Sequence, residues 1–141
     1  MRRFSGFTLM ELLIVIVIVG ILASVALPSF GKTIERTRVK DAQATLASVY
    51  SAERVYRLDQ GGYGTLNDLI ANRYVTNPNA GNADWTFTIS DVSGSTSNTF
   101  TATANRSTGG YSTNTVWVNQ NFNGSCYNGN HPFRDFTSNP C

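Results

Sequence analysis

The chain opens on one long apolar run. Residues 7–27 are apolar with four exceptions, and residues 12–27 carry no charge. This uncharged part is slightly shorter than the ~20 residues that a membrane-spanning helix needs, unless residues 7–9 are counted as well. Counting them places Glu11 inside the membrane, where a carboxylate costs roughly 2.5 to 3.5 kcal/mol. An acid at such a position predicts a function for Glu11.

A second, amphipathic pattern follows the apolar run. Between residues 39 and 56, positions three or four apart form one helix face, and this face is apolar except for Glu53. The face consists of Val39, Ala42, Leu46, Val49, Glu53 and Tyr56. We therefore predict that the helix continues to about Leu58 and that this face packs on a sheet.

Two residues within the helical pattern weaken a helix. Pro28 removes a backbone hydrogen bond and clashes with the preceding turn, and Gly20 costs roughly 1 kcal/mol relative to alanine. One interpretation is that Pro28 ends a membrane span. Because the amphipathic pattern resumes past Gly31, we predict instead one continuous helix with a kink.

A glycine cluster, Gly61-Gly62-Tyr63-Gly64, predicts the end of the long helix. It lacks the preceding strand and the Lys-Ser/Thr ending of a phosphate-binding loop, so we exclude that function. Beyond it, Thr65 and Asp68 have the spacing of a capping box, which predicts a short helix that contains Leu69.

The second half of the chain alternates between apolar and polar residues in three segments. These segments are residues 85–90, 100–104 and 115–120, separated by stretches rich in Ser, Thr, Asn and Gly. We predict an α+β fold, in which the long helix, half hydrophobic and half amphipathic, packs on an antiparallel sheet of three or four strands. Trp85 and Trp117 are predicted to be core aromatics.

A processing motif stands at the N-terminus. Arg2 and Arg3 precede Gly6-Phe7, and Glu11 is the fifth residue after Gly6. These residues resemble the type IV prepilin signature, in which a short basic leader ending in glycine precedes an N-methylated phenylalanine and a glutamate at the fifth mature position. The resemblance implies cleavage after Gly6, N-methylation of Phe7, and pairing of Glu11 with the new α-amine during filament assembly.

Two other interpretations of the N-terminus are open. An ordinary secretory signal would be cleaved after the apolar core, near Ala26, and a plain membrane anchor would not be cleaved at all. Neither accounts for Glu11, whereas the prepilin signature requires the glycine, the phenylalanine, the glutamate and the apolar run together. In that family, Gly20 and Pro28 match positions that weaken the helix in assembled filaments.

The resemblance divides the chain into four parts. We expect residues 1–6 to be a leader, 7–30 a transmembrane and filament-core helix, 31–59 its amphipathic half, and 60–141 a globular head. The leader arginines keep the N-terminus in the cytoplasm and place the head outside. The implied locations are the inner membrane before assembly and the extracellular pilus afterwards. The implied partners are a prepilin peptidase that also methylates, an inner-membrane assembly platform, other pilins and further copies of this chain.

Two cysteines, Cys126 and Cys141, lie close together at the C-terminal end. An even, clustered pair in a membrane-targeted chain predicts one disulfide formed outside the cytoplasm. Closing such a loop stabilises a protein by about 3 kcal/mol. A zinc site would need more ligands than these cysteines and His131 supply. The pair also matches the disulfide-bounded C-terminal region that many type IV pilins display.

Composition argues against catalysis and against nucleic-acid binding by bulk charge. The formal net charge is +2, and loss of the two leader arginines leaves nine basic and nine acidic residues. One histidine and scattered acids offer little material for general acid–base catalysis. We therefore predict no enzymatic activity, no metal and no cofactor.

The resemblance implies a type IVa pilin, either a major or a minor subunit, in a filament that supports adhesion, twitching motility or DNA uptake. One alternative is a pseudopilin of a type II secretion system, against which Cys126, Cys141 and the scarcity of acids after Asp91 argue. Another alternative is a competence pilin that binds DNA, and a monomeric membrane-anchored binding domain is a third. For DNA, the candidate cations are Arg106, His131 and Arg134, although so few cations favour scattered solvated residues.

Overall fold

The computed structural model describes residues 6–94, 96–109, 112, 114–121 and 126–128, and for residues 26–29 and 126–128 it describes the backbone only. The chain divides into two compact units, Met1–Arg36 and Thr37–Cys141. The predicted disulfide of Cys126 and Cys141 and the candidate cations His131 and Arg134 lie outside the described side chains. Their pairing and their roles stay predictions.

One long helix, α1, spans Leu9–Gln60, close to the predicted limits of residues 7 and 58. It ends at the predicted glycine cluster, because the N–H of Gly61 donates to the carbonyl of Arg57 at 2.9 Å while Gly61 adopts a φ of +86°. A residue in this left-handed region is a common helix terminator, and glycine adopts it without strain. The prediction of one long helix is confirmed.

Among the described residues, no single helix is both long and apolar enough to cross a membrane. The segments Leu9–Val25 and Phe30–Gln60 satisfy the requirements of length and composition when they are taken together as a bent pair. The backbone is helical through Pro28. The helix-weakening roles of Gly20 and Pro28 stay predictions.

The core of the second unit lies between the amphipathic part of α1 and one face of the sheet. All six positions of the predicted helix face are at most 9% exposed. The five apolar ones form one cluster with buried side chains of the sheet and its loops, among them Phe87, Phe100, Val116 and Val118. Burying a large apolar side chain stabilises a fold by roughly 1.5 to 3 kcal/mol. The prediction that this face packs on a sheet is confirmed.

The sheet has four antiparallel strands, and neighbours in sequence are neighbours in the sheet. The strands are β1 (Trp85–Ser90), β2 (Thr101–Arg106), β3 (Thr115–Asn119) and β4 (Cys126–Asn128). The predicted α+β fold is therefore confirmed. The short strand β4 lies in a segment whose sequence shows little alternation, so the pattern does not predict it.

Strand alternation separates the two tryptophans. In β1, Trp85 and Phe87 are buried between exposed threonines, and Trp85 is 3% exposed. In β3 the buried positions are Val116 and Val118, which leaves Trp117 on the opposite face and partly exposed. Successive residues of a strand point to opposite faces. The predicted core position is therefore confirmed for Trp85 and wrong for Trp117.

The short helix α2, Leu66–Ala71, follows the predicted capping box. The Thr65 N–H donates to Oδ2 of Asp68 at 2.9 Å, and the Thr65 hydroxyl oxygen accepts from the Asp68 N–H at 3.3 Å. Hydrogen bonds from the Thr65 hydroxyl and N–H favour the ionised carboxylate and lower the pKa of Asp68. Leu69 is fully buried, and the prediction of a short capped helix is confirmed.

Candidate functional site

The first unit presents an uncovered apolar helix. From Phe7 to Val25 every large hydrophobic side chain is between 47% and 88% exposed. The apolar side chains lie on all sides of this part of α1. It therefore lacks the division into one apolar and one polar face that is typical of a helix packed on a sheet. Such a surface requires an apolar environment that the chain itself does not supply within the described residues.

Glu11 lies in the first turn of α1, and Thr8 caps this turn. The Glu11 N–H is 3.2 Å from the Thr8 hydroxyl oxygen and 3.2 Å from the Thr8 carbonyl oxygen. Threonine followed three residues later by glutamate is the spacing of a capping box, and an acid in the first turn favours the helix by roughly 0.3 to 1 kcal/mol. Thr8 is not among the predicted site residues, although this spacing identifies it. Glu11 thus contributes to helix initiation, while its role in assembly stays a prediction.

The predicted cleavage point lies just outside the helix. Gly6 and Phe7 precede α1 and have no regular secondary structure, and Phe7 is 74% exposed. A Cβ added at Gly6 would meet no atom within 4 Å. A bond in exposed, non-helical backbone is accessible to a peptidase. Cleavage after Gly6 and methylation of Phe7 stay predictions.

Glu53, the polar residue of the predicted helix face, is fully buried. Its Oε2 accepts a hydrogen bond from the N–H of Gly64 at 3.0 Å, whereas its Oε1 has no hydrogen-bond partner among the described residues. Burial disfavours the ionised form and raises the pKa of Glu53 to about 7; the Gly64 bond opposes this rise, and the negative charge of Asp68 adds to it. Glu53 therefore ties α1 to the glycine cluster through a carboxyl group that is partly protonated near neutral pH.

Gly64→Ala is expected to lower the free energy of unfolding by about 1 to 3 kcal/mol. A Cβ at this position would lie 2.7 Å from Cε1 of Tyr56, whose ring belongs to the core. The resulting shift would also disturb the bond from the Gly64 N–H to Glu53. Gly31→Ala is the control, since its Cβ would meet no atom of the described residues within 4 Å. Because Gly31 lies within α1, alanine there is expected to leave the free energy of unfolding unchanged or to raise it by up to about 1 kcal/mol. Urea denaturation measures both variants, and an unchanged midpoint for Gly64→Ala would contradict the prediction.

Arg106, a candidate cation for DNA, is buried. Its side chain is 2% exposed, and its Nη1 lies 2.8 Å from Oδ1 of Asp84 and 2.7 Å from the Asp84 carbonyl oxygen. Asp84 also pairs with Arg38 at 3.2 Å. The hydrogen bond from Arg106 lowers the pKa of Asp84. Arg106 shares the inward face of β2 with Ala102 and Ala104, so this arginine is not available to a DNA phosphate, and the candidate role is corrected to a structural one.

Two family profiles match the chain in succession. One, described as the prokaryotic N-terminal methylation motif, matches residues 1–27. The other, described as type IV minor pilin ComP, DNA uptake sequence receptor, matches residues 28–123, which is more than half of the chain.

Individual relatives match shorter parts of the chain. The type IV major pilin protein PilA of Myxococcus xanthus is 36% identical over 80 residues, which cover 57% of this chain and 34% of PilA. The type IV narrow pilus major component PilA5 of Thermus thermophilus is 40% identical over 70 residues, which cover 50% of this chain and 60% of PilA5. The type II secretion system core protein G of Aeromonas hydrophila is 36% identical over 80 residues, which cover 55% of this chain and 56% of protein G. The chain thus spans between about a third and three fifths of the length of these relatives.

No solved structure matches the chain. The relatives named above are pilins and a pseudopilin, which are structural components of pili and secretion systems and not enzymes. The two profiles together cover residues 1–123 without a gap, and the observed long helix on an antiparallel sheet agrees with the fold that the prepilin resemblance implies. This chain therefore belongs to the family of type IV pilins and pseudopilins and is a structural protein.

Proposed function

We propose that this chain is a subunit of a type IV pilus, which resides in the inner membrane before assembly and in an extracellular filament afterwards. One observation carries the proposal: the uncovered apolar helix of the first unit, with an acid in its first turn. Membrane lipid would cover this helix before assembly, and the helices of neighbouring subunits would cover it in the filament.

Glu11 would give the helix a preference for the filament over the membrane, which apolar contacts alone do not. Lipid tails and leucine side chains are about equally apolar, so moving the helix from lipid into a helical bundle gains little hydrophobic free energy. Selectivity for the filament must then come from packing and from polar pairs. A new α-amine at Phe7 and the carboxylate of Glu11 would neutralise each other within the bundle, in one subunit or between neighbours.

Processing and assembly would require partners. A membrane peptidase would cleave after Gly6 and methylate Phe7, and an inner-membrane platform would extract the subunit from the membrane. The proposed disulfide of Cys126 and Cys141 would form after the second unit has reached the oxidising side of the membrane.

Glu11→Leu is expected to leave membrane insertion intact and to reduce the yield of sheared filaments about tenfold or more. An unneutralised amine within an apolar bundle costs several kcal/mol, and every 1.4 kcal/mol corresponds to a factor of about ten. Immunoblots of the membrane fraction and of the sheared fraction measure the two effects separately. A normal filament yield from Glu11→Leu would exclude the proposed role.

Thr8→Ala and Glu11→Gln are the matched controls for this experiment. Thr8→Ala removes the cap at the start of α1 but keeps the charge of Glu11. Glu11→Gln removes the charge but keeps the shape of the side chain. If charge pairing drives assembly, only Glu11→Gln reproduces the loss of filaments. If helix initiation is the cause, Thr8→Ala reproduces it instead.

A role in DNA reception is the second candidate function. It is supported by the profile that matches residues 28–123, whose description names a receptor of DNA uptake sequences. The formal neutrality of the processed chain means that any DNA site must be local, since the bulk charge does not attract DNA. Fluorescence anisotropy of labelled duplex DNA with the full chain in a neutral detergent tests this function. The absence of salt-dependent binding would exclude it.

A pseudopilin is the alternative to a pilus subunit, because protein G of Aeromonas hydrophila matches as well as the pilins do. Mass spectrometry of sheared filaments and of membranes distinguishes the two. An abundant filament protein that begins at N-methylated Phe7 and lacks the two hydrogens of Cys126 and Cys141 supports the pilus subunit. A processed, methylated chain confined to the membrane fraction supports a minor pilin or a pseudopilin.

A further inference from the structure

A cationic cavity lies at the C-terminal end of α1, where the helix meets the glycine cluster. The cavity has a volume of about 430 Å³ and is lined by Arg54, Arg57, Leu58 and Tyr63. The two arginines are one helical turn apart and both are exposed. None of the residues considered above for DNA lines it.

Arg57 is held in place by uncharged groups. Its Nη1 donates to the Tyr63 hydroxyl at 3.1 Å, and its Nη2 donates to Oδ1 of Asn98 at 3.2 Å. Its guanidinium carbon lies 4.9 Å from the centre of the Tyr63 ring. Among the described residues, no carboxylate forms an ion pair with Arg57 or Arg54. The positive charge of Arg57 is therefore both oriented and available to an external anion.

Tyr63, which accepts a hydrogen bond from Arg57, is itself fixed by burial and by backbone pairing. It is 4% exposed, it pairs with Ser97 in an isolated antiparallel bridge, and its ring centre lies 4.7 Å from that of Phe100. The N–H of Tyr63 donates to the Ser97 carbonyl at 2.8 Å. The bridge joins the glycine cluster to the loop between β1 and β2, so the two residues that accept hydrogen bonds from Arg57, Tyr63 and Asn98, lie on segments that are paired with each other.

Within the described part of the chain, the neighbouring acids of α1 form no ion pair with either arginine. Glu53 accepts a hydrogen bond from the Gly64 N–H in the interior, and Asp59 accepts one from the Tyr74 hydroxyl. Leu58, 86% exposed, lies beside the arginines and adds an apolar surface. The cavity therefore suits an anion with C–H groups beside it, such as a phosphate diester whose deoxyribose carbons can contact Leu58.

We propose that the cavity formed by Arg54, Arg57 and Tyr63 binds a backbone phosphate of DNA. This inference rests on the second candidate function above, DNA reception. The cavity makes a positioning contact and does not read bases, because the Tyr63 ring is buried against Phe100 and Arg57 and offers no open face for base stacking. Sequence recognition, where it occurs, belongs to another part of the surface.

The test compares Arg54→Ala and Arg57→Ala with the parent chain by fluorescence anisotropy, using two labelled duplexes of different sequence and the full chain in neutral detergent. Each variant is expected to bind both duplexes roughly three to ten times more weakly. The slope of log affinity against log salt concentration is expected to fall by about one for each arginine removed. A merely structural effect would not produce this change of slope.

Lys40→Ala is the matched control, because it removes one exposed positive charge from the same helix roughly 21 Å from Arg54. It is expected to leave the affinity unchanged within about twofold and to leave the slope unchanged. Arg54→Ala keeps the test valid if Arg57→Ala unfolds, since Arg54 makes no hydrogen bond within the described part of the chain.

The outcomes separate the phosphate site from DNA reception itself. If the parent binds DNA and both arginine variants bind with the same affinity and slope, the phosphate site is overturned while DNA reception stands. If the variants weaken binding to only one of the two duplexes, the site reads sequence and a purely positional contact is overturned. If the parent does not bind DNA, DNA reception fails, and the phosphate site fails with it.

Discussion

The free energy of unfolding of the second unit is expected to fall by about 2 to 3 kcal/mol as the pH rises from about 5 to about 8, because of Glu53. The ordinary pKa of this carboxyl is 4.5, and burial raises it to about 7. Between these values the folded state retains a proton that the unfolded state has released. The stabilisation is therefore fully present below pH 4.5 and is lost as the pH rises through 7.

The cause is the environment that Glu53 meets only in the folded chain. One oxygen accepts a hydrogen bond from the Gly64 N–H, but the other has no partner in the part of the chain that the structure describes. The ionised form therefore lacks the hydration it has in water. Asp68 and Asp84 have lowered pKa values, so their contributions are lost only as the pH falls below about 3.8, outside this range.

Glu53→Gln isolates the contribution of Glu53. Glutamine keeps an oxygen that can accept a hydrogen bond from the Gly64 N–H, has no charge, and leaves every other titratable group of the chain in place. Urea denaturation of both proteins at about pH 5, 6, 7 and 8 measures the effect. We expect the glutamine variant to show a nearly flat profile over this range, while the parent loses stability. Parallel profiles of the parent and the variant would exclude Glu53 as the cause.

The elements of the fold were predictable because each has a strong local pattern. The helix α1 follows from an apolar run that continues into positions three and four residues apart, and the glycine cluster marks its end. The helix α2 follows from Thr65 and Asp68, whose predicted capping box is present. Strands β1 to β3 follow from alternation. The three-residue strand β4 has too few residues for alternation to be recognised.

The errors concern single side chains whose position depends on strand alternation. Residue type predicts Trp117 in the core, yet it lies between the buried Val116 and Val118 and must face the other side of the sheet. Arg106 is a candidate for DNA as one of the few cations in the C-terminal half, yet it continues the inward positions of Ala102 and Ala104. In both cases the alternation of neighbouring residues is a better guide than the residue type.

Contacts between distant segments could not be predicted. Glu53 stands out in an apolar helix face, but its partner is a backbone N–H eleven residues away, in a loop without regular structure. The pairing of Arg57 with Asn98 joins residues 41 positions apart. Such contacts follow from how the glycine cluster packs on the loop between β1 and β2, and one sequence contains no periodic signal for that packing.

Asp84→Asn is expected to destabilise the second unit more than Arg106→Met, although both changes break the same ion pair. The Asp84 side chain is 37% exposed and that of Arg106 is 2% exposed. Asp84→Asn leaves a buried guanidinium without this carboxylate, at a cost of about 3 kcal/mol or more. Arg106→Met leaves a carboxylate that water reaches and that lies 3.2 Å from Arg38, so we expect a cost of only about 1 to 2 kcal/mol.

The double variant decides whether the buried charge is the cause. Once methionine has replaced Arg106, Asp84→Asn no longer removes the carboxylate from a buried cation. The double variant is therefore expected to be more stable than Asp84→Asn alone, with a coupling energy of about 2 kcal/mol between the two changes. Urea denaturation of the four proteins measures this coupling. The pKa of Asp84 is lowered by the hydrogen bond from Arg106, so the stabilisation is lost as the pH falls below about 3.8, and the parent and Asp84→Asn should converge there. Additive costs, or a larger cost for Arg106→Met than for Asp84→Asn, would show that packing around Arg106 outweighs its charge.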